Sequence, residues 1–337
     1  MAINAQNIKW YRSIDISDTP QFNGGRMSNV AEITTNVKQN LFQDVSHVKR
    51  LAGDVSKRKL FCKIAEDPWI ELVDSDIFLD KLSEGNDCVM LQYTGSQRDY
   101  HNSISNARYY GISTLKNSVS QSATQIVVTL EHSSIASYQP IKPGDKLWIS
   151  TQDYISGTGS FEWATVGGSE SDVIYSGADV TITIPSGLTY GWTEGAKVAS
   201  SFHINSVKPL LTGYSTTSVG GGFVPDNNYT VNGVGTIEQD WTITFTSNAA
   251  FILSGDVIGS TGTGNTSTNF SPINEAFNKP FFVLNKNGWS GTFSTGDKVY
   301  FTTHPASVPI WAVRVVPENS ESITISTTSI AISGESA

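Results

Sequence analysis

Apolar and polar positions alternate with a period of two along much of the chain. In residues 237–245, Ile237, Gln239, Trp241, Ile243 and Phe245 fall on one side of an extended segment, and Glu238, Asp240, Thr242 and Thr244 on the other. That is the signature of a strand with one buried face. Residues 298–303 and 310–316, rich in β-branched and aromatic side chains, predict two further strands. Pro143-Gly144-Asp145, Ser254-Gly255-Asp256 and Thr295-Gly296-Asp297 each stand before an apolar run. A permissive backbone followed by a side-chain acceptor predicts the same turn chemistry at all three.

The N-terminal part reads differently. A strand is expected over 8–16, then a loop over 17–27 with Pro20 and the Gly24-Gly25 pair. Ser28 or Asn29 is placed to cap a helix, with Glu32 three residues after Asn29, and Val30, Ile33, Thr34, Val37 and Leu41 recur at helical spacing. A second short helix is expected over 45–52, capped by Asp44 and stopped at Gly53. Strands over 57–65, 70–73 and 88–93 complete an α+β unit, residues 1–117. From 118 to 206 short strands at 125–131, 145–150, 161–166, 180–185 and 197–204 predict a small barrel or sandwich. The Gly-, Pro- and Asn-rich stretch 208–232 reads as a linker and 259–268 as an exposed loop. Residues 207–337 form a third, sandwich-like unit, ending in strands at 322–326 and 329–333 that can complete their own sheet or pair with a neighbour's edge. The fold class expected is mainly β, a small N-terminal α+β unit followed by β-barrel or β-sandwich units.

Composition agrees: 337 residues, 38% apolar and only 16% charged, suit a turn-rich β protein with a real core. The net charge of −9 argues against broad wrapping of nucleic acid, and direct contact with DNA is not expected. The charge is uneven, since residues 1–60 carry nine Lys or Arg against five Asp or Glu. Lys49, Arg50, Lys57, Arg58, Lys59 and Lys63 read as a basic surface, either simply solvated or facing DNA or an acidic neighbouring subunit. Cys62 and Cys88 are too few for a disulfide framework, and Cys62 sits in an apolar run as a small core residue. A polar N-terminus and no run of eighteen apolar residues predict folding in the cytosol and no membrane partner.

Catalytic signatures are missing. The chain contains no Gly-x-Ser-x-Gly and no His-Glu-x-x-His, and its five histidines are scattered singly. His304, before Pro305, reads as a hydrogen-bonded turn residue. Gly220-Gly221-Gly222 lacks the following Lys-Ser or Lys-Thr of a phosphate cradle. Glu162, Glu170, Asp172, Glu194 and Glu238 are available for glycoside hydrolysis, but nothing in the sequence pairs them across a cleft. Trp241, Trp289 and Trp311 lie in core-like patterns, leaving Trp148, Trp163 and Trp192 as candidates for stacking on sugar. Asp226-Asn227-Asn228 lacks the spaced ligands of a calcium loop and reads as a turn. No catalytic residue, metal or cofactor is expected.

Two blocks carry a resemblance. FNGGRMS followed by NVKQNLFQDVSHVKRLAGDVSKRKLFCKIA lies near the N-terminus. GTIEQDWTITFTS, GDVIGSTGTGN, KPFFVL, GW-G, FTTHPASVPIW-VRVVP and a terminal SGES lie in the last third. Together they resemble a family of uncharacterised structural proteins of contractile-tailed bacteriophages and related prophages. The resemblance implies a non-enzymatic virion protein, assembled in the host cytoplasm, partnered with copies of itself and with other head, neck or tail proteins. A neck or collar ring is the favoured place; a baseplate or decoration protein, or a carbohydrate- or receptor-binding module, is the alternative. The subunit-interface candidates are the basic residues Lys49, Arg50, Lys57, Arg58 and Lys59 and the apolar stripe Val30, Ile33, Val37 and Leu41.

Overall fold

The segment SVPIWAVRVV offers no polar alternation, and a strand of that kind needs cover on both faces. In the computed structural model, which describes residues 3–35, 37–105, 107–153, 155–323 and 326–336, it forms the strand Ser307–Val316 with every residue buried. It pairs antiparallel with Asp54–Ile64 on one side and Cys88–Tyr93 on the other. The six-stranded sheet around it runs Gly24–Glu32, Ile8–Asp15, Asp54–Ile64, Ser307–Val316, Cys88–Tyr93, Arg108–Tyr110. Val313 and Val315 face one apolar core and Val308, Ile310 and Ala312 another.

The second sheet runs Phe161–Thr165, Lys146–Ser150, Lys197–Val207, Ile112–Leu115, Gln125–Leu130, Asp179–Thr183, Val173–Ser176. Lys197–Val207 is long enough to serve three neighbours: its first half pairs with Lys146–Ser150 and Ile112–Leu115, and its second with Leu72–Lys81. Ser329–Ser336 adds to the free side of Leu72–Lys81. A five-stranded sheet, Leu210–Thr216, Lys298–His304, Gln239–Phe245, Ala250–Gly255, Gly259–Asn265, lies wholly within residues 210–304. It encloses its own core, with Phe245 stacked on Phe293 at 3.7 Å and Trp241 among Phe281 and Phe282. The fold is mainly β, as the alternation predicts. Ile237, Gln239, Trp241, Ile243 and Phe245 are all buried.

Several expectations are corrected. The sheets cross both expected unit boundaries: Ile112–Leu115 pairs with Gln125–Leu130, and Ser307–Val316 returns to the first sheet from the far end of the chain. The helix expected from Ser28 or Asn29 is instead the end of the strand Gly24–Glu32, where Met27 stands opposite Ser13 and Glu32 opposite Tyr11. Thr34, Thr35 and Asn40 are poor helix formers, and Asn40 satisfies local polar groups itself by donating to the Thr34 carbonyl and accepting from Arg12. The second helix exists as His47–Ala52, but Ser46, not Asp44, caps it by accepting from the Lys49 N–H at 3.3 Å. The chain leaves this helix at Gly53 with φ +76°. The stretch 208–232 is not a bare linker, since it holds the strands Leu210–Thr216, Gly221–Phe223 and Tyr229–Val231. The expected loop 259–268 begins with the edge strand Gly259–Asn265. Of the strand expected over 322–326, residues 324 and 325 lie outside the described residues.

Two of the three Gly-Asp turns share one chemistry. Gly144 and Gly296 have φ of +82° and +93°, and Asp145 and Asp297 accept from the N–H three residues back, at 2.7 and 2.8 Å. Ser254-Gly255-Asp256 differs, because Gly255 ends a strand and Asp256 accepts from the Asp240 N–H at 3.1 Å.

Candidate assembly surface

The run Lys57-Arg58-Lys59 and Lys63 lie on Asp54–Ile64, a strand flanked on both sides in its sheet. Sheet neighbours therefore fix where these cations go, and most go inward. The Lys59 side chain is fully buried, its Nζ 2.8 Å from the Gly25 carbonyl and 2.5 Å from Asp99 Oδ1, with the Phe61 and Trp311 rings beside it. The Asp99 contact is an ion pair without hydrogen-bond alignment; Asp99 Oδ2 is held separately by Trp311 Nε1 at 3.0 Å and Thr94 at 2.7 Å. Burial pushes Lys59 down to about 8 although Asp99 pulls the other way. Lys63, also buried, donates to the Val234 carbonyl, and burial pushes it down to about 7. Lys57 reaches Gln92 at 3.1 Å, and burial lowers it as well. Arg58 is buried on Asp18 and the Ser17 carbonyl. The expected outward basic surface is thus corrected for Arg58, Lys59 and Lys63, which are internal anchors, while Lys49, Arg50 and Lys57 remain partly open.

A second cluster joins the first sheet to the five-stranded one. The Arg98 fork donates to Glu238 at 2.6 Å and to both oxygens of Asp240, at 2.5 and 2.8 Å. Arg26 donates to both oxygens of Asp256, at 3.1 and 2.6 Å. His304 bonds Glu238 at 2.8 Å and Thr212 at 2.7 Å, the hydrogen-bonded role its position predicts. The Arg98 bond draws Asp240 down to about 2, and the same contacts raise Arg98. Sequence reasoning missed this cluster because Glu238 and Asp240 occupy the polar face of their strand and look solvated. The signal available was two carboxylates at alternate positions, which a single guanidinium fork can hold.

The expected apolar stripe does not form. Val30 and Val37 are 84% and 54% exposed, while Ile33 and Leu41 are half-buried against the second core. A different apolar surface takes its place. The helix His47–Ala52 buries none of its side chains, and Val48 and Leu51 are 72% and 53% exposed. Lys49 ties it to Asp54 at 3.1 Å and Asp18 at 3.6 Å, and Arg50 donates to the Val45 carbonyl. Arg58 clamps Asp18 from below. Lys49, Asp54, Asp18 and Arg58 line a cleft of about 70 Å³ that also includes Asn23 and His101. Val55, in the lining, and Ile16 and Phe22, next in sequence to lining residues, are exposed as well. Five large apolar side chains are thus exposed in the segments that contribute to this polar cleft or adjoin it.

The sugar-site candidates change in the structure. Trp148 and Trp192 are buried, and Trp163 is covered by Phe78 and by the Lys146 ammonium at 4.6 Å. Glu162 is buried on the Thr189 N–H at 2.7 Å and on Trp192. A larger open cavity of about 520 Å³, lined by Tyr93, Thr94, Ser96, Asp99 and Arg108 among others, contains none of the five carboxylates considered for hydrolysis. Asn227 adopts φ +61° and Asn228 donates to the Val224 and Asp226 carbonyls, a turn as expected. Among the described residues no three His, Cys, Asp or Glu gather as a metal site, and no helix is long and apolar enough to cross a membrane. No protein-family model, no curated protein and no solved structure matches the chain.

Proposed function

We propose that this chain is a non-enzymatic structural protein of a tailed-phage virion, a neck or collar component that assembles with copies of itself into a ring. The observation that carries the assembly reading is the exposed apolar pair Val48 and Leu51 on a helix with no buried residue, with Ile16, Phe22 and Val55 exposed in the neighbouring segments. A six-residue helix that buries none of its side chains gains little by existing alone, and burial against a neighbour supplies what it lacks. A ring needs two different patches on each subunit, and this helix would be one of them. The place in the virion rests on the resemblance of the two sequence blocks. The partners would be further copies and the adjoining head, neck or tail proteins.

Mass by light scattering, together with the position of labelled protein in virion images, tests the reading. A ring at the head–tail junction is expected. A chain that stays monomeric at every concentration overturns assembly, and a label on the capsid surface or baseplate moves the protein to a decoration or baseplate role. The variant Val48→Ser/Leu51→Ser, altered only at exposed positions, should keep its unfolding midpoint and lose oligomers.

A further inference from the structure

The last strand, Ser329–Ser336, is joined to the fold in an unusual way. Its partner Leu72–Lys81 belongs to one sheet, while the strand that precedes it in the chain, Ser307–Val316, is the centre of another. The twelve residues 317–328 connect them, enough chain to reach about 40 Å when extended. No residue of the last strand is fully buried; Ile330, Ala331 and Ile332 pack partly on the second core and Ser333–Ser336 are exposed. Its pairing shifts register twice, between Ser329 and Ile330 and between Ser333 and Glu335. Among its described residues the connecting strap is held by polar contacts: the Ser320 N–H donates to the Arg50 carbonyl at 3.3 Å, Ser326 to Asp87 at 3.1 Å and Thr328 to the Lys81 carbonyl at 2.8 Å, and Lys81 donates to Thr327.

The edge it covers is different. Ile77, Phe78 and Leu79 are buried on Leu72–Lys81, which pairs on its other edge with Lys197–Val207, so without its last partner this strand would offer an open backbone edge beside a covered core. A strand held by a backbone ladder is recognised equally well from another copy, because the ladder and the Ile-Ala-Ile side chains are identical. Which copy supplies it is then decided by tether length and local concentration, not by new contacts. We propose that Ser329–Ser336 is exchanged in the assembled protein, each subunit completing the Leu72–Lys81 edge of its neighbour. This rests on the assembly reading and names a second patch pair, distinct from the helix, that links subunits head to tail.

Val73 and Glu335 stand opposite each other in the ladder, and neither is buried. Val73→Cys and Glu335→Cys, made in separate and differently tagged chains, are mixed, assembled and treated with a short thiol-reactive bis-maleimide, each thiol adding across a maleimide double bond. Exchange predicts a crosslinked pair containing both tags, because the two thiols meet only across copies. The double variant in one chain should give crosslinked ladders on a denaturing gel. Oligomers that carry the double variant only as an internally crosslinked single chain, with no mixed-tag pair, overturn the exchange and leave assembly standing. Oligomers with no crosslink of either kind also overturn it. If light scattering shows only monomers, the assembly reading fails first and exchange falls with it.

Discussion

The Lys63 ammonium lies 4.3 Å from the centre of the Phe277 ring and donates to the Val234 carbonyl, and among the described residues it forms no ion pair. Tyr11 flanks it at 5.9 Å. An amine so placed is costly to keep charged, and burial lowers it from 10.5 to about 7. The folded state therefore binds fewer protons than the unfolded state between those two values, and stability rises with pH across that window. Lys59, lowered to about 8, adds a smaller share in the same direction. Denaturant unfolding of the wild type should show stability climbing from pH 7 to 9.5. In Lys63→Met that slope should shrink by an amount on the order of a few kcal/mol at most, without vanishing, since Lys59 remains. An unchanged slope would show that Lys63 reaches water in solution.

Arg98 is the only group bridging Glu238 and Asp240 in the joint between the two sheets, as far as the described residues show. Glu238 is nearly inaccessible, so removing the guanidinium strands a buried carboxylate with His304 alone. Arg98 itself is partly exposed, which reduces the effect below that of a fully buried pair. Arg98→Ala should cost about 1–3 kcal/mol in denaturant unfolding. Adding Glu238→Gln to it should recover part of that loss, as a double-mutant cycle would record. Fully additive losses would mean the two residues do not share the interaction.

Gly24 supports a different expectation. With φ +128°, a Cβ there would lie 2.6 Å from the Asp99 carbonyl oxygen and 2.9 Å from the Trp311 ring. Both obstacles are fixed, one by backbone and one by a buried ring. Gly24→Ala should lower stability by more than about 2 kcal/mol, whereas Gly168→Ala, with open space around it and an ordinary φ, should stay within about 0.5 kcal/mol. Thermal unfolding of the two variants side by side gives the comparison.

What could be read from the chain beforehand follows from how local each signal is. Strands such as Cys88–Tyr93 and Gln239–Phe245 declare themselves because burial on one or two faces writes a period into their own residues. The helix expected over Val30 to Leu41 fails because four apolar residues at helical spacing are weak evidence against a neighbouring strand, Ile8–Asp15, that recruits Gly24–Glu32. Lys57, Arg58 and Lys59 look like a surface because charge runs usually are one. Their burial depends on Asp99, Asp18 and Gln92, partners that the sequence places 34 or more residues away. The same holds for Arg98 and Asp240: each is ordinary alone, and only the fold brings them together.

The C-terminal half carries the last expectation. The motifs from residue 235 to 317 read as one stretch, yet the structure divides them near Pro305. Everything from Leu210 to His304 belongs to the five-stranded sheet and its satellites, while Ser307–Val316 belongs to the first sheet. The core around Trp241, Phe245, Phe282 and Phe301 draws its residues from within 211–301. Leu210 and His304 are ladder partners, so the two ends of this unit lie side by side. Such a unit is an insertion, and an insertion with its own core and adjacent ends can be removed without stretching the rest. Residues 209–305 alone should fold with a single cooperative transition. The remaining chain, closed by a short Gly/Ser bridge, should stay soluble, though weakened where Lys63 and Arg98 lose their partners. Deleting 118–206 instead removes most of Lys197–Val207 and strips the inner side of Leu72–Lys81. That variant should be insoluble. Near-ultraviolet circular dichroism and solubility of the three proteins decide the matter, and a soluble 118–206 deletion beside an unfolded 209–305 fragment would reverse the assignment.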